Sequence, residues 1–160
     1  MKYHLNRKKD IMGPHHLEVL SLLVGALLGD AYGETRNNKS RIHFEQAYKN
    51  QEYLYWLHQF LASRGYCHIN KPKILKRTTG KSLEWRHYLG FKTYSYGSFN
   101  WLVESFYPQS EKRLPDKNRL KMFLTPLALT IWICDDGTRS GVGLALCTNC
   151  FTKQEVQILC

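Results

Sequence analysis

Two segments of the chain are apolar at nearly every position, and each ends in an acidic residue followed by a bend. The first, over 22–33, carries Asp30, and the second, over 129–137, carries Asp135 and Asp136. Both patterns predict buried helices. A carboxylate at a helix C-terminus opposes the macrodipole, and burying an unpaired charge costs more still. Two such acids therefore indicate a compensating cation, and a divalent metal shared between the helix ends would provide it.

The residues at the start of each predicted helix are typical of helix N-termini. Pro14 suits a first helical position, and Thr125 followed by Pro126 forms a cap and a first helical residue. Gly25 and Gly29 lie four residues apart on one face of the first helix. Glycine weakens a helix interior, but a pair on one face also lets another helix approach closely. We favour the second interpretation, which predicts a tight helix–helix contact.

The residues between these helices show a succession of strand-like and helix-like periodicities. Together with the first helix they predict the order α-β-β-α-β-β-α. The elements are a hairpin turn over 36–40, a strand over 41–48, a helix over 51–61 capped by Asn50, strands around 69–76 and 83–94 joined by a turn over 79–81, and a short helix over 99–106 capped by Ser98 and ended by Pro108.

This pattern divides the chain into a first unit over 1–108, a basic linker over 109–124 and the start of a second unit over 125–160. The second unit begins like the first, with a strand over 142–148 and then a helix opened by a capping box of Thr152 and Glu155. By the length of the first unit, the second is expected to be truncated by on the order of 60 to 70 residues.

Composition favours an anionic partner. The chain has 160 residues and a net charge of +10, from 23 basic and 13 acidic side chains, and it contains 10 Tyr, 7 Phe and 4 Trp. This combination indicates nucleic acid first, with a merely soluble basic protein as the alternative. The longest apolar stretch, over 19–28, is about half the length that a bilayer requires, and the N-terminus lacks the apolar core of a signal peptide. No membrane partner is expected.

The five cysteines are expected to be reduced, because their number is odd and no secretory signal precedes them. Cys147 and Cys150 have the spacing of a zinc knuckle, but no second pair follows them. Two small residues in a strand are therefore a better interpretation than a structural zinc site.

The segments Leu23–Ala31 and Leu129–Gly137 resemble the two copies of the motif that names the LAGLIDADG homing endonucleases, and Leu124–Leu127 before the second copy matches as well. The double-motif type encoded in organelle introns is the most similar form. The resemblance covers most of the chain. It implies an α+β fold in which the two motif helices pack together between half-domains, while curved antiparallel sheets form a saddle over the DNA major groove. The double-motif form is expected to be a monomer.

The resemblance also implies the catalytic centre. Asp30 and Asp136 would bind Mg²⁺ (or Mn²⁺) beside a scissile phosphate, with the carbonyl groups of Gly29 and Asp135 as further ligands. Adjacent helix residues point about 100° apart, so only one acid of the second pair can match Asp30. The motif alignment selects Asp136, and Asp135 is expected to tune the site or to face solvent. Lys112 matches a catalytic lysine of the family, the alternative being a solvated linker charge.

Nucleic-acid contacts are expected from strand side chains of one parity. Arginine can bind guanine bidentately, whereas many lysines only neutralise phosphates. The candidate residues are Arg36, Lys39, Arg41, His43, Lys71, Lys73, Arg77, Lys81 and Arg86.

The function implied by the resemblance is that of a site-specific DNA endonuclease, encoded in an intron whose mobility it promotes. It would cut both strands of a double-stranded target of roughly 20 base pairs, about two helical turns. Two alternatives stay open: a maturase of the same fold that binds its own intron RNA and can dispense with the acids, and a truncated, inactive DNA-binding remnant. Intact Asp30 and Asp136 favour DNA cleavage. Coding in a mitochondrion or chloroplast would explain the missing import signal.

Overall fold

The computed structural model describes residues 15–79 and 84–159, so Pro14, Lys81 and the predicted turn around Gly80 lie outside the described residues. The first seven elements follow the predicted order α-β-β-α-β-β-α. The helices and strands are α1 (Leu17–Leu28), β1 (Tyr32–Arg36), β2 (Lys39–Ala47), α2 (Gln51–Ser63), β3 (Lys73–Thr79), β4 (Glu84–Lys92), α3 (Asn100–Phe106), α4 (Lys117–Phe123), α5 (Pro126–Asp136), β5 (Gly137–Ser140), β6 (Gly143–Leu146) and α6 (Lys153–Leu159).

The first four strands form one antiparallel sheet in the order β1-β2-β4-β3. β1 and β2 are joined by a two-residue turn in which Asn37 and Asn38 both have positive φ. A type I′ hairpin requires this conformation, and asparagine tolerates it better than most residues do. The hairpin predicted over 36–40 is confirmed.

The core lies between one face of this sheet and the helices. Ile42 and Leu89 of the sheet are fully buried, as are Leu54 and Leu61 of α2, which lie at helical spacing. Every residue of α1 from Val19 to Leu28 is buried. Among the described residues, no helix combines the length and the apolar character needed to cross a membrane.

Helices α1 and α5 pack backbone against backbone. A Cβ atom built on Gly25 would lie only 2.3 Å from the carbonyl oxygen of Ala128, and one on Gly29 would lie 2.5 Å from the Cβ of Asp135. No side chain larger than hydrogen fits at either position without moving the partner helix. The close helix contact predicted from the glycine pair is confirmed.

The prediction of a fully buried helix is right for α1 but wrong for the outer face of α5. Ala128, Ile131 and Trp132 are buried, whereas Leu129 is 41% exposed. The physical reason is that α5, within the described chain, packs mainly against α1 and the small β5–β6 sheet.

Helix α4 lies inside the segment expected to be a linker, and the sequence pattern does not predict it. The side chain of Asp116 caps it by accepting hydrogen bonds from the N–H groups of Asn118 and Arg119. With only seven residues, the helix is too short for its periodicity to stand out.

Three local predictions around the first sheet are wrong. Asn50 precedes α2 but its side chain accepts no capping hydrogen bond; it ends a 3₁₀ turn that runs straight into the helix, and its Nδ2 donates to Oε1 of Gln46 at 3.1 Å. Strand β3 begins at Lys73 rather than near Ile69, directly after Pro72, which has no N–H to offer a neighbouring strand. Helix α3 begins at Asn100, after a 3₁₀ turn that includes the predicted cap, Ser98.

The helix caps predicted in the second unit are confirmed. Thr125 caps α5 by accepting the N–H of Ala128 at 3.3 Å. The capping box before α6 is reciprocal: the Thr152 N–H donates to Glu155 Oε2 at 2.7 Å, and the Glu155 N–H donates to Thr152 Oγ1 at 3.3 Å. This short helix is therefore fixed at its start.

The cysteines of the described chain, Cys67, Cys134, Cys147 and Cys150, are free thiols, as predicted. β6 ends at Leu146, so Cys147 and Cys150 lie in the turn that follows and not in a strand, which corrects the prediction. Thr148 and Asn149 between them favour that turn.

Candidate functional site

The ends of α1 and α5 meet at one end of the helix pair. Asp30 follows α1 and is exposed, whereas Asp135 and Asp136 are the last two residues of α5 and are partly buried. Gly29 makes the approach possible, because a Cβ there would lie 2.6 Å from Oδ2 of Asp135. The structure therefore brings together the acids of the two apolar segments.

Asp135 and Asp30 are joined by a hydrogen-bond network. The backbone N–H of Asp30 donates to Oδ2 of Asp135 at 3.3 Å. Nε2 of Gln46 donates both to Oδ2 of Asp30, at 2.8 Å, and to Oδ1 of Asp135, at 3.1 Å. Gln46 is buried and is itself held through its Oε1 by Asn50. The network fixes the direction in which the Asp30 carboxylate points.

Asp135 does not face solvent, which corrects one of the two expectations for it. Burial, together with the nearby carboxylates of Asp30 and Asp136, raises the pKa of Asp135 to about 7, although a hydrogen bond from Tyr53 opposes the change. Burial and the charge of Asp135 in turn raise the pKa of Tyr53. The position of Asp135 suits a residue that orients Asp30.

Asp136 shares its electrostatic environment with Asp30 and Lys112. Burial and the charge of Asp30 raise the pKa of Asp136, while the Lys112 ammonium acts in the opposite direction. The charge of Asp30 therefore makes the ionised form of Asp136 less favourable, and a bound cation would offset this effect.

Lys112 reaches the helix ends from the segment between α3 and α4. Its Nζ donates a hydrogen bond to the carbonyl oxygen of Gly29 at 2.7 Å, and the side chain is partly buried. The alternative of a solvated linker charge therefore does not describe this lysine. The Gly29 carbonyl, expected to be a metal ligand, accepts the lysine hydrogen bond here.

The two acids suit a divalent metal that is shared with a substrate. No group of three or more His, Cys, Asp or Glu side chains within 15–79 and 84–159 is arranged to hold a metal alone. Mg²⁺ is commonly bound through one or two carboxylates, with waters and phosphate oxygens as the other ligands. Asp30 and Asp136 match that donor set, and a cation between them would relieve their repulsion.

One face of the sheet carries most of the predicted nucleic-acid residues. Residues directly opposite each other in antiparallel strands share a face. The register links Tyr32 to His43, His43 to Lys92, and Lys73 to Gly90. By this register the face, here called the basic face, includes seven of the nine candidates: Arg36, Lys39, Arg41, His43, Lys73, Arg77 and Arg86. Lys71 lies in the loop before β3, and Lys81 lies outside the described residues.

Two carboxylates on the basic face bind arginines. Glu34 Oε2 accepts hydrogen bonds from Nε and Nη2 of Arg41, at 2.8 and 2.6 Å. Glu45 uses both carboxylate oxygens, Oε1 accepting from Nη1 of Arg77 at 2.6 Å and Oε2 from Nη2 at 2.7 Å. The hydrogen bond from Arg41 is the main reason why the pKa of Glu34 is lowered.

A sequence profile described as the LAGLIDADG DNA endonuclease family matches residues 20–160, which include both helix ends and the whole basic face. The chain belongs to the LAGLIDADG DNA endonuclease family. The family predicted from the two apolar segments is thereby confirmed.

Curated members of the LAGLIDADG family are similar to the chain over most of its length. It is 41% identical to the cytochrome b mRNA maturase bI2 of Saccharomyces cerevisiae, over 99% of this chain and 40% of that protein. It is 41% identical to the protein of the same name from Debaryomyces hansenii, over 91% of this chain and 55% of that protein. It is 33% identical to the intron-encoded endonuclease ai4 of Dictyostelium discoideum, over 64% of this chain and 65% of that protein. The chain thus spans between 40% and 65% of the length of these relatives.

A solved homing endonuclease structure has the same fold. The homing endonuclease I-WcaI, bound to its DNA recognition sequence, matches with a TM-score of 0.80 at 24% identity, over 94% of this chain and 68% of that chain. The match confirms the predicted α+β fold of helices and antiparallel sheets.

Sequence reasoning missed Gln46 and Lys92 in this LAGLIDADG chain. Gln46 occupies the buried parity of β2, which it shares with Ile42 and Phe44, so a polar residue among apolar positions is the signal that could have found it. Lys92 has the same parity as Arg86 within the predicted strand, and extending the parity rule along β4 would have included it.

Proposed function

We propose that this chain hydrolyses phosphodiester bonds of double-stranded DNA at the meeting point of α1 and α5, with Mg²⁺ or Mn²⁺. The observation that carries the proposal is the shared environment of Asp30, Asp136 and Lys112. Two carboxylates that repel each other at an accessible position are suited to hold a divalent cation against a phosphate. When bound, the metal would lower the pKa of an attacking water and neutralise charge that develops on the phosphate.

The residues around the centre have separate roles in this proposal. Asp30 and Asp136 are the metal ligands, one from each motif, and each serves the cleavage of one strand. Lys112, anchored on the Gly29 carbonyl, supplies a positive charge beside the reacting phosphate. Gln46 and Asp135 orient Asp30 through the hydrogen bonds described above.

The basic face is proposed to bind the DNA target, of roughly 20 base pairs or two helical turns. Its cations lie on neighbouring strands of an antiparallel sheet, so they can meet successive phosphates and base edges along a groove. Arg41 and Arg77 already present oriented guanidinium groups on this face. Guanine edges and phosphates are the natural partners of such groups.

The proposed organisation is a half-domain over 1–108, a basic linker over 109–124 that holds α4, and the start of a second half-domain over 125–160, with a monomer as the double-motif form. The proposed gene lies in an intron of a mitochondrial or chloroplast genome. The names of the relatives, cytochrome b mRNA maturases and an intron-encoded endonuclease, support this setting.

The relatives favour a second function, that of an intron RNA maturase. The two relatives at 41% identity both carry the name cytochrome b mRNA maturase. Such a role requires a basic surface for RNA and does not require the acids. It therefore predicts RNA binding that is insensitive to loss of Asp30.

The experiment combines cleavage and binding in one set of proteins. The purified chain is incubated with intronless host-gene DNA in Mg²⁺ or in EDTA, and its affinity for the intron RNA is measured in parallel. Asp30→Asn removes the proposed ligand, and Asp116→Asn is the matched control, because it removes the same charge at an exposed helix cap that asparagine preserves.

Each outcome points to one function. Mg²⁺-dependent cutting by the wild type and Asp116→Asn, but not by Asp30→Asn, supports the endonuclease. Selective binding of intron RNA, equal in all three proteins and without DNA cutting, supports the maturase. Tight DNA binding without cutting, in the absence of RNA selectivity, overturns both and indicates an inactive remnant.

A further inference from the structure

A cavity of about 430 Å³ lies on the basic face, beside the loop that connects α2 to β3. Its volume falls within the roughly 300–1,000 Å³ that is typical of small-ligand pockets. Gly90 lies in its lining, between Glu45 and Lys73 on the neighbouring strands. Because Gly90 has no side chain, Leu75 of β3 packs over this point, with its Cδ1 3.2 Å from where a Cβ would lie, and the two residues form part of the cavity floor.

Tyr32 and His43 form a flat aromatic wall of the cavity. Their rings are stacked, with centroids 4.5 Å apart and planes 15° from parallel. The stack is held by hydrogen bonds, since Tyr32 Oη contacts Nδ1 of His43 at 3.1 Å and Nε2 of His43 contacts Glu34 at 2.9 Å. Because the two rings cover each other's inner faces, a further planar ring can stack only on an outer face of the pair, and His43, on β2 next to β4, is the ring nearer the rest of the lining.

Cations line the cavity in excess. Lys71, Lys73 and Lys92 contribute to its lining, and none of the three forms an ion pair within the described residues. The carboxylate of the lining, Glu45, is already bound by Arg77. The cavity therefore combines an aromatic wall with uncompensated positive charge, which is the chemistry that binds a nucleotide.

We propose that this cavity binds one unpaired nucleotide of an RNA strand, with its base stacked on the outer face of the Tyr32–His43 pair and its flanking phosphates at Lys71 and Lys73. A paired base in a duplex remains stacked and cannot enter, whereas the bases of RNA bulges and loops are splayed out and stack on aromatic side chains. The inference rests on the second function proposed above, RNA binding, and specifies the feature of the RNA that is recognised.

The test uses an RNA hairpin with a single bulged 2-aminopurine, the same hairpin fully paired, and a DNA hairpin with the same bulge. Leu75→Trp fills the cavity without changing charge, because Leu75 lines it. Ile74→Trp is the matched control: it is the adjacent residue of β3, it is 58% exposed, and it lies on the opposite face of the sheet. Affinity is measured by anisotropy and stacking by 2-aminopurine emission.

We expect the wild type to bind the bulged RNA about tenfold more tightly than the paired RNA, which is the gain in affinity expected from stacking one base on an aromatic ring. Emission of the bulged base should fall on binding. Leu75→Trp should lose this preference and Ile74→Trp should keep it. If Leu75→Trp does not fold, Lys71→Gln is used instead, and it should lower the affinity for the bulged RNA more than the affinity for the paired RNA.

Other results overturn the proposal in distinguishable ways. Equal affinity for bulged and paired RNA, or equal effects of the two tryptophan variants, rules out the cavity as the binding site of an unpaired nucleotide. RNA binding elsewhere on the protein remains possible in that case. Equal binding of the bulged DNA hairpin removes the assignment to RNA. Failure to bind any RNA removes both this proposal and the maturase function, while the cleavage assay with intronless DNA decides the endonuclease separately.

Discussion

Gly25 of α1 and Ala128 of α5 are in direct backbone contact, with only 2.3 Å between the Ala128 carbonyl oxygen and the place where a Cβ of residue 25 would lie. The distance between the two helices is therefore set by the absence of a side chain. Asp30 and Asp136 lie at the ends of the same two helices. Any change that separates the helices also separates the acids.

Gly25→Ala is expected to lower the free energy of unfolding by about 2 kcal/mol, because the clash with a backbone atom outweighs the better helix propensity of alanine. Urea unfolding followed by circular dichroism measures the change. The control is Gly97→Ala, where the nearest atom to a new Cβ is 3.9 Å away, and its effect should stay within about 0.5 kcal/mol. Equal stability of the two variants would contradict the close contact.

Asp136→Asn and Asp135→Asn should affect DNA cleavage unequally. Loss of the proposed ligand Asp136 is expected to lower the cleavage rate by more than about 100-fold, whereas loss of the orienting Asp135 should lower it by about tenfold. Single-turnover cleavage across a Mg²⁺ titration measures both. A larger loss with Asp135→Asn would reverse the two assignments.

Lys112→Gln should lower the single-turnover cleavage rate at saturating DNA by about 100-fold, because it removes the positive charge at the helix ends. Its affinity for DNA should change little, since one of many cations is lost. Lys117→Gln removes a charge from exposed α4 and should leave the cleavage rate unaltered. The prediction is wrong if both variants lose only affinity.

Lys73→Gln should weaken DNA binding and reduce the slope of log affinity against log salt by about 1, as the loss of one phosphate contact does. Lys76→Gln is a matched control, because Lys76 is an exposed lysine of the same strand on the opposite face of the sheet. Its salt slope should equal that of the wild type. Fluorescence anisotropy from 50 to 300 mM KCl, roughly the range over which such slopes are measured, gives both values. Identical slopes for the two variants would contradict the assignment of the basic face as the DNA-binding surface.

Glu155→Gln should reduce stability by about 1–2 kcal/mol at pH 7, because glutamine has one acceptor oxygen where the carboxylate uses two, for the N–H groups of Leu114 and Thr152. Burial alone would raise the pKa of Glu155, but these hydrogen bonds lower it below its ordinary value of 4.5. The stabilisation is therefore present above pH 4.5 and is lost as the pH falls through the lowered pKa. Thermal unfolding from pH 3 to pH 8 should show the two proteins converging in acid. Glu111→Gln, at an exposed ion pair, should show no such convergence.

Periodicity and capping signals predicted the elements of this fold because they are local properties of the chain. The apolar run of α1, the turn at Asn37 and Asn38, and the capping box of Thr152 are each encoded within a few residues. The short helix α4 was missed because its seven residues hold too little pattern. Its cap at Asp116 resembles an ordinary polar loop.

The candidate site was predictable where it depends on motif position and not where it depends on packing. Asp30, Asp136 and Lys112 could be chosen from the sequence, since each has a place relative to a motif. The hydrogen bonds of Gln46 could not be predicted, because Asp30 is 16 positions and Asp135 is 89 positions away from it along the chain. The same holds for the exposed side of α5, which reflects what surrounds a helix and not its own composition.

The carboxylates of Glu34 and Glu45 have a consequence for selectivity. If the basic face binds a polynucleotide as proposed, each guanidinium that they hold must exchange one anionic partner for another. Indiscriminate attachment to any phosphate chain is thereby made less favourable, while a ligand that satisfies both the arginine and its released carboxylate is not penalised. The two acids are thus expected to reduce nonspecific binding of nucleic acid, which the net charge of +10 would otherwise promote.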